Sequence, residues 1–284
     1  MSRSIEFTKT QGIGNDFIIV NLPVMAEDND WQTLAVKMCD RNFGIGADGL
    51  ILVMSSDIAD YRMRIINSDG SEPEMCGNGI RCFVRYLLDN GLATTPISIE
   101  TLAGIRTVEV VSADTKDTGF RVNMGQPELG AANIPVKGFG IGNVISQPLD
   151  VDGVTYGITC VSMGNPHCII FVECADDIRL AEIGPKIENH RAFPRKTNVE
   201  FVQVLPDGDI RIKVWERGAG ITLACGTGAC ASVVASIMND RIPCKPTSAH
   251  LPGGDLIIDW SASGDVYMTG PAHVVFTGIY HTEE

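Results

Sequence analysis

The sequence predicts an α+β protein with two pseudo-symmetric domains of the same fold and an active site in the cleft between them. Its 284 residues are long for one domain and short for three. Features of the first half recur in the second at a shift of 149 or 150 residues. Each half also contains short apolar segments bounded by Gly, Asp and Pro turns, and one clear helical pattern.

The composition favours a small-molecule partner. Hydrophobic residues make up 44% and charged residues 20% of the chain, as in globular proteins. The net charge of −13 argues against a nucleic-acid partner, which needs a Lys- and Arg-rich face. No secretory signal is visible, and no apolar run approaches the roughly 18 residues of a membrane span. Nine cysteines without CxxC pairs favour reduced thiols over disulfides or zinc, so we predict a cytoplasmic protein without a metal.

Four segments recur in the same order and indicate an internal duplication. The corresponding pairs are Gly14-Asn15 with Gly164-Asn165, "DGLILV" at Asp48 with "NVEFVQ" at Asn198, "YRMRIIN" at Tyr61 with "IRIKVWE" at Ile210, and Cys76-Gly77-x-Gly79 with Cys225-Gly226-x-Gly228. We place the N-terminal repeat at residues 1–127, completed by a C-terminal strand in 272–284, and the C-terminal repeat at 128–271.

The predicted elements follow in chain order. In the first repeat we predict strands at Arg62–Ile66, Ile97–Glu100, Arg106–Val111 and Phe120–Met124 and a helix at about Ile80–Asn90; in the second, strands at Arg211–Trp215, Asp255–Trp260 and Val266–Met268 and a helix at about Ala229–Asn239. The first helix has apolar residues at helical spacing and ends at Gly91. The second is apolar nearly all round, which predicts a helix surrounded by strands. A last apolar strand, about Ala272–Tyr280, is predicted to return to the first domain.

Each predicted helix is preceded by a cysteine, in "MCGNGIRC" (Met75–Cys82) and "ACGTGAC" (Ala224–Cys230). A helix N-terminus lowers the pKa of a thiol from about 8.5, so we expect a thiolate near neutral pH at Cys76 and Cys225. The neighbouring glycines let a carboxylate approach the backbone N–H groups. The other cysteines are interpreted as core residues: Cys39, Cys82, Cys160, Cys168, Cys174, Cys230 and Cys244.

Two such cysteines facing one ligand would suit inversion of a stereocentre. One thiolate removes the α-proton, and the opposite thiol returns a proton to the other side. The N–H groups of both helices would hold the carboxylate and stabilise the charge that develops on it. This chemistry needs neither a cofactor nor a metal.

The motifs "GNDF" (Gly14), "NSDGSEPEMCGNGIRC" (Asn67), "GNPH" (Gly164), "NVEF" (Asn198) and "WERGAGITLACGTGAC" (Trp215) resemble those of the diaminopimelate epimerase family, in the same order and over nearly the whole chain. The resemblance implies two domains, each a β-barrel-like sheet around a central helix. It implies interconversion of LL- and meso-2,6-diaminopimelate, in lysine and peptidoglycan-precursor synthesis, without pyridoxal phosphate or metal. It also suggests a homodimer.

The resemblance implies functional roles for the residues at positions that match the family's motifs. Cys76 and Cys225 match the acid/base pair, which exchanges roles with the direction of reaction. The positions matching carboxylate-binding N–H groups are Gly77, Asn78, Gly226 and Thr227. Those matching other substrate contacts are Asn15, Asn67, Asn165, Asn198, Glu216 and Arg217. Arg217 suits a distal carboxylate, and Glu216 suits an ammonium group.

Two positions are left open. His167 is either a local hydrogen-bond partner in its turn or a group that tunes a thiol. Gly49 departs from the family, because some members have a substrate-contacting glutamine there. That contact is lost, supplied from elsewhere, or replaced by water.

Two alternative functions remain at this point. One is a related two-cysteine racemase of proline-type substrates, which the charged residues Glu216 and Arg217 disfavour. The other is a thiol-based redox sensor or binding protein. Nucleotide binding at "GFGIGN" (Gly138) is a weaker idea, because no helix is predicted to follow it.

Overall fold

The computed structural model describes residues 4–22, 30–111 and 119–282, and forms two compact units. Unit 1 comprises residues 1–122 and 270–284, and unit 2 comprises residues 123–269. The described residues contain 17 strands and four helices, which confirms the predicted α+β class. None of the four described helices is both long enough and apolar enough to cross a membrane.

Unit 1 is a mixed sheet with two helices. Its elements are β1 (Ser4–Gly12), β2 (Asn15–Asn21), α1 (Trp31–Cys39), β3 (Gly49–Met54), β4 (Tyr61–Asn67), α2 (Gly77–Asp89), β5 (Ile97–Thr101), β6 (Gly104–Val111), β7 (Gly119–Asn123) and β17 (His273–His281). The strands pair in the order β17-β1-β2-β3-β4-β5-β6-β7, parallel at β2–β3 and β4–β5 and antiparallel elsewhere. The final strand of the chain therefore pairs with the first.

Unit 2 repeats this topology. Its elements are β8 (Gln147–Val151), β9 (Val154–Ser162), β10 (Pro166–Phe171), α3 (Leu180–Glu188), β11 (Asn198–Val204), β12 (Ile210–Glu216), β13 (Gly220–Ile221), α4 (Gly226–Met238), β14 (Thr247–Leu251), β15 (Gly254–Trp260) and β16 (Val266–Pro271). The order is β8-β9-β10-β11-β12-β14-β15-β16, parallel at β10–β11 and β12–β14. The two units share one fold, as predicted. The edge position of β17 in unit 1 is taken in unit 2 by β8.

Both faces of each central sheet are covered. In unit 1, α2 packs against β1, β2, β3, β4 and β17, and α1 packs against β3 and β4. Every residue of β3 is buried, as expected for a strand with helices on both faces. In unit 2, α4 packs against β9, β10, β11, β12, β14 and β15. Each main helix is thus surrounded by the strands of its own unit.

The helices that follow the cysteines begin earlier than predicted. They start at Gly77 and Gly226, with Cys76 and Cys225 as the N-cap residues, instead of at Ile80 and Ala229. Glycine is a poor helix former, so the glycines in the first turns gave no helical pattern in the sequence. Helices α1 and α3 were not predicted at all. In α1 the N-cap is Asp30, whose carboxylate accepts the Thr33 N–H at 3.1 Å.

The prediction that seven cysteines are core residues is wrong for two of them. Cys244 is exposed and Cys174 is half-buried. The remaining five are buried, namely Cys39, Cys82, Cys160, Cys168 and Cys230. All nine cysteines of the chain are free thiols in the structure.

Candidate active site

Cys76 occupies the N-terminus of α2 in an extended conformation, with φ −135° and ψ 116°. Its Sγ accepts the Gly79 N–H at 3.4 Å, and its carbonyl accepts the Ile80 N–H at 2.9 Å. The first N–H groups of a helix have no acceptor within the helix and form an anion-binding site. The thiol and this site therefore occupy the same helix turn, beside Gly77 and Asn78.

Asn15 connects β2 to this turn. Its Oδ1 accepts from the Asn78 Nδ2 at 3.2 Å and from the Cys76 Sγ at 3.7 Å. Its Nδ2 donates to Asp48 Oδ2 at 2.6 Å. The structure thus brings together three predicted site residues of unit 1, and Asp48 fixes the orientation of the Asn15 amide.

Asp48 belongs to a charged network that sequence reasoning did not identify. Lys9 contacts Asp16 at 2.6 Å, and Arg41 contacts Asp16 and Asp48, each at 2.7 Å. The Lys9 ammonium also donates to the Gly46 carbonyl. Burial alone would raise the pKa of Asp16, but hydrogen bonds from Arg41 and Lys9 outweigh it and lower the pKa from 3.8 to about 2.

This network predicts an acid-sensitive contribution to stability. The pKa of Asp16 is lower in the folded state, so its stabilisation is complete above the unfolded value of 3.8 and is lost as pH falls toward 2. We expect Asp16→Asn to lower the free energy of unfolding by about 1–2 kcal/mol at pH 7. In urea unfolding, the gap between wild type and variant should narrow between pH 5 and pH 2.5. The exposed Asp57→Asn is the control, and a gap that is equal at both pH values contradicts the assignment.

Asn67 ends β4 opposite Gly49 on β3. Its Nδ2 donates to Ser71 Oγ at 3.0 Å, which holds it in its own turn. A Cβ added at Gly49 would lie 3.0 Å from the Ile66 carbonyl oxygen and 3.5 Å from the Phe17 ring. Backbone and ring therefore crowd the position where some family members have glutamine.

Cys225 occupies the equivalent position in unit 2, at the N-terminus of α4. Its Sγ lies 3.6 Å from Thr227 Oγ1, and the Asn165 Nδ2 donates to that hydroxyl at 3.3 Å. The Asn165 Oδ1 lies 3.0 Å from His167 Nε2. The structure thus brings together four predicted residues of unit 2.

The expected low pKa of the thiol is wrong for Cys225. Burial, followed by the negative charges of Glu216 and Glu200, raises the pKa of Cys225 well above its usual value. Hydrogen bonds from Thr227 and the Gly228 backbone act in the opposite direction but are outweighed. Cys225 is only 5% exposed, so desolvation of the thiolate exceeds the effect of the helix terminus. Cys225 is therefore a neutral thiol in the free protein.

Glu216 lies beside this thiol at the end of β12. Its carboxylate accepts a hydrogen bond from the Thr222 hydroxyl. Burial raises its pKa, and Glu200 adds to the rise, whereas hydrogen bonds from Thr222 and Cys225 oppose it. A half-buried carboxylate next to Cys225 suits an ammonium group of a ligand.

Asn198 and Arg217 are joined through the backbone. The Asn198 Nδ2 donates to the Pro166 carbonyl at 2.8 Å, and its Oδ1 accepts the Arg217 N–H at 2.9 Å. The amide of Asn198 thus connects the "GNPH" turn to the "WERG" turn. The exposed Arg217 guanidinium lies 3.5 Å from the Arg195 carbonyl oxygen and is available to a ligand.

Sequence reasoning missed Glu200, which lies on β11 with its side chain fully buried. Its Oε1 is 2.6 Å from His167 Nδ1. The available signal was a carboxylate in the middle of the otherwise apolar "NVEFV" segment. Among the described residues, no group of three or more His, Cys, Asp or Glu side chains could hold a metal ion.

Comparison with known proteins gives a consistent result. The family model described as diaminopimelate epimerase matches residues 7–130 and 159–275. A diaminopimelate epimerase from Desulfitobacterium hafniense is 54% identical over 278 residues, covering 97% of this chain and 98% of that protein. One from Pelotomaculum thermopropionicum is 51% identical over 278 residues, covering 97% and 99%.

Solved structures resemble the fold. A hydroxyproline epimerase from Agrobacterium vitis, with bound trans-4-hydroxy-L-proline, has a TM-score of 0.71 at 15% identity, covering 99% of this chain and 94% of that one. A PhzF-family phenazine biosynthesis protein from Bacillus anthracis has a TM-score of 0.71 at 18% identity, covering 99% and 100%. At such identities the likeness concerns the fold alone.

Proposed function

Because the chain belongs to the diaminopimelate epimerase family, we propose that it interconverts LL- and meso-2,6-diaminopimelate. It is an isomerase that inverts one α-carbon, in lysine and peptidoglycan-precursor biosynthesis. The observation that supports this function is that a cysteine, which can transfer a proton, is the N-cap residue of the main helix in each unit.

The proposed reaction is a proton exchange between two sulfurs. The thiolate of one cysteine takes the α-proton, and the electron pair of the C–H bond moves toward the substrate carboxylate. The thiol of the other cysteine then gives its proton to the opposite side of the carbon. Because its environment keeps Cys225 protonated at rest, Cys225 is proposed as the resting acid, and Cys76 acts as the base in that direction of the reaction. In the reverse direction the two exchange roles.

The helix N-termini supply the electrostatic stabilisation. The N–H groups of Gly77 and Asn78, and those of Gly226 and Thr227, are assigned to hold the carboxylate on which charge develops. Donors fixed in a helix turn do not reorganise as the charge forms. This is the main contribution beyond acid–base catalysis, which typically supplies about 10²–10⁴-fold.

The remaining polar groups are assigned to the two charged ends of the substrate. Asn15 and Asn165 lie against the two cysteine turns, where an amide can orient the reacting end. Glu216 is assigned to an ammonium group and Arg217 to the distal carboxylate. Asn67 stays assigned to substrate binding, and Asn198 is assigned to holding the Arg217 turn in place.

The activity is tested with the purified, reduced protein and LL-diaminopimelate, following formation of the meso isomer. We expect conversion without added cofactor, and in the presence of a chelator or a carbonyl reagent. Free proline is the control substrate. Conversion of proline instead of diaminopimelate would favour the racemase alternative, and no reaction with either would favour a thiol sensor.

Arg217→Ala should weaken substrate binding more than catalysis. The guanidinium forms a bidentate pair with a carboxylate far from the reacting carbon, so its loss removes interactions made equally in the ground and transition states. We expect KM to rise about 10- to 100-fold with kcat within about threefold. Arg217→Lys keeps the charge but lacks the planar guanidinium, so its KM should lie between those of the wild type and Arg217→Ala. An unchanged KM in Arg217→Ala would remove this residue from the site.

We also propose a homodimer in the cytoplasm. Strand β17 exposes large apolar side chains, with Val275 55%, Phe276 47% and Ile279 56% exposed, and such a patch is typical of an interface. Nine free thiols fit a reducing compartment. Sedimentation analysis at micromolar concentration should give twice the mass of the chain, and a monomer would contradict the dimer.

A further inference from the structure

A buried histidine and a buried glutamate contact each other beneath the cysteine turn of unit 2. His167 Nδ1 and Glu200 Oε1 are 2.6 Å apart, and both side chains have 0% exposure. Glu200 Oε2 is buried and has no hydrogen-bond partner within the described residues. Burying charged groups costs several kcal/mol per ion, so such a pair needs a reason to be present.

The pair lies directly against the cysteine turn. His167 on β10 and Glu200 on β11 occupy neighbouring parallel strands, where Ile169 is paired with Glu200. A Cβ added to Gly228, in the first turn of α4, would lie 2.7 Å from Glu200 Oε1 and 3.2 Å from Cys225 Sγ. The absence of a side chain at Gly228 therefore lets the carboxylate approach the reactive sulfur.

The fold itself does not require this pair, because the equivalent place in unit 1 is apolar. The strand pairing equates Phe17 on β2 with His167 and Ile51 on β3 with Glu200. This corrects by one residue the alignment of "DGLILV" with "NVEFVQ" that the sequence suggested, which matched Leu50 with Glu200. A Cβ added to Gly79, the equivalent of Gly228, would meet Ile51 Cδ1 at 3.2 Å. At equivalent positions of the same topology, unit 1 thus has Phe17 and Ile51, and unit 2 has His167 and Glu200.

A chain of hydrogen-bonding contacts runs from the carboxylate to the sulfur. It passes from Glu200 to His167 (2.6 Å), to Asn165 (3.0 Å), to Thr227 (3.3 Å) and to Cys225 (3.6 Å). Both ring nitrogens of His167 face oxygen atoms, Glu200 Oε1 and Asn165 Oδ1. A carboxylate oxygen accepts hydrogen bonds, so the contact with Glu200 fixes the orientation of the His167 ring through Nδ1.

We propose that Glu200 is a positioning residue that orients the His167 ring and thereby fixes Asn165, Thr227 and the Cys225 thiol for proton transfer. This inference rests on the proposed function for its catalytic consequence. A residue that merely fills the core would affect stability and leave turnover unchanged. The charge of Glu200 also helps to keep Cys225 protonated, in agreement with its assignment as the resting acid.

The test compares Glu200→Gln with two further variants. Glu200→Gln keeps the size and removes the charge, and we expect kcat to fall about 10- to 100-fold with KM within about threefold. The double variant His167→Phe/Glu200→Ile copies the apolar pair of unit 1; it should fold and lose at least as much activity. Ser236→Ala removes another buried polar group of unit 2, which donates to the Ser232 carbonyl and lies outside this chain of contacts, and should keep kcat within about twofold.

A second readout needs no substrate. Proton NMR, with the His167 ring signals assigned from its Phe variant, should show a strongly downfield Nδ1–H signal in the wild type, as expected for a hydrogen bond of 2.6 Å to a carboxylate. In Glu200→Gln this signal should move upfield. A kcat within twofold of wild type in Glu200→Gln or in the double variant, or the absence of a downfield Nδ1–H signal in the wild type, would overturn the proposal. If the wild type did not act on diaminopimelate, the proposed function would fail, and the NMR result would still decide whether Glu200 holds His167.

Discussion

Cys225→Ala and Cys76→Ala are each expected to lower kcat for epimerisation by at least about 10³-fold. Inversion needs an acid on one side of the α-carbon and a base on the other, and neither variant retains both. Both sulfurs occupy N-cap positions, where alanine provides no group that can transfer a proton. The measurement is the rate of meso-diaminopimelate formation, with folding followed by thermal unfolding.

Two controls separate chemistry from folding. Cys244 is an exposed thiol outside the site, so Cys244→Ala should keep full activity. Cys76→Ser replaces a weak sulfur acceptor at the Gly79 N–H by a strong N-cap residue. It should be at least as stable as the wild type and still lose activity, because a hydroxyl is too weak an acid to supply the base. Near-normal turnover in either alanine variant contradicts the two-cysteine mechanism.

Gly44→Ala is expected to have the largest effect on stability. The segment after α1 folds back on the helix end, where the Gly44 N–H donates to the Asp40 carbonyl at 2.9 Å. A Cβ at Gly44 would lie 2.2 Å from the Lys37 carbonyl oxygen and 2.7 Å from that of Met38. Both are backbone atoms that cannot rotate away, so the loop must move. We expect a loss of about 3 kcal/mol or more in the free energy of unfolding.

The matched control is Gly157→Ala in strand β9. An added Cβ there meets nothing within 4 Å. We expect a change within about 0.5 kcal/mol for that variant. The same loop carries Arg41 and Asp48, which orient Asn15, so Gly44→Ala should also lower epimerase activity at temperatures where it remains folded. Equal unfolding midpoints in urea for the two variants would contradict the steric account.

The repeat made much of the fold predictable from the sequence. Corresponding residues at a nearly constant shift identified two domains of one fold, because duplicated strands keep their pairing partners. The strands around Arg62–Ile66 and Arg211–Trp215 were confirmed within β4 and β12. Helices α1 and α3 were missed, since they are only nine residues long and α3 contains Gly184 and Pro185, which usually interrupt a helix.

The chemistry of the site was less predictable than its position. Motifs placed both cysteines at helix N-termini, but the pKa of Cys225 depends on burial and on Glu216 and Glu200. Those residues lie 9 and 25 positions away in the sequence and meet the thiol only through the sheet. Glu200 itself appeared as one residue of an apolar strand, because its partner His167 lies on a neighbouring strand.

The most direct test is epimerisation of LL-diaminopimelate in deuterium oxide, stopped at low conversion. The new meso product should carry deuterium at the inverted carbon, while the recovered LL substrate remains protiated. This follows because the sulfur that donates the proton has exchanged with solvent, and differs from the sulfur that removes it. Product that keeps the original hydrogen, or substrate and product labelled equally from the start, would indicate a single base and contradict the assignment of Cys76 and Cys225 as opposing partners.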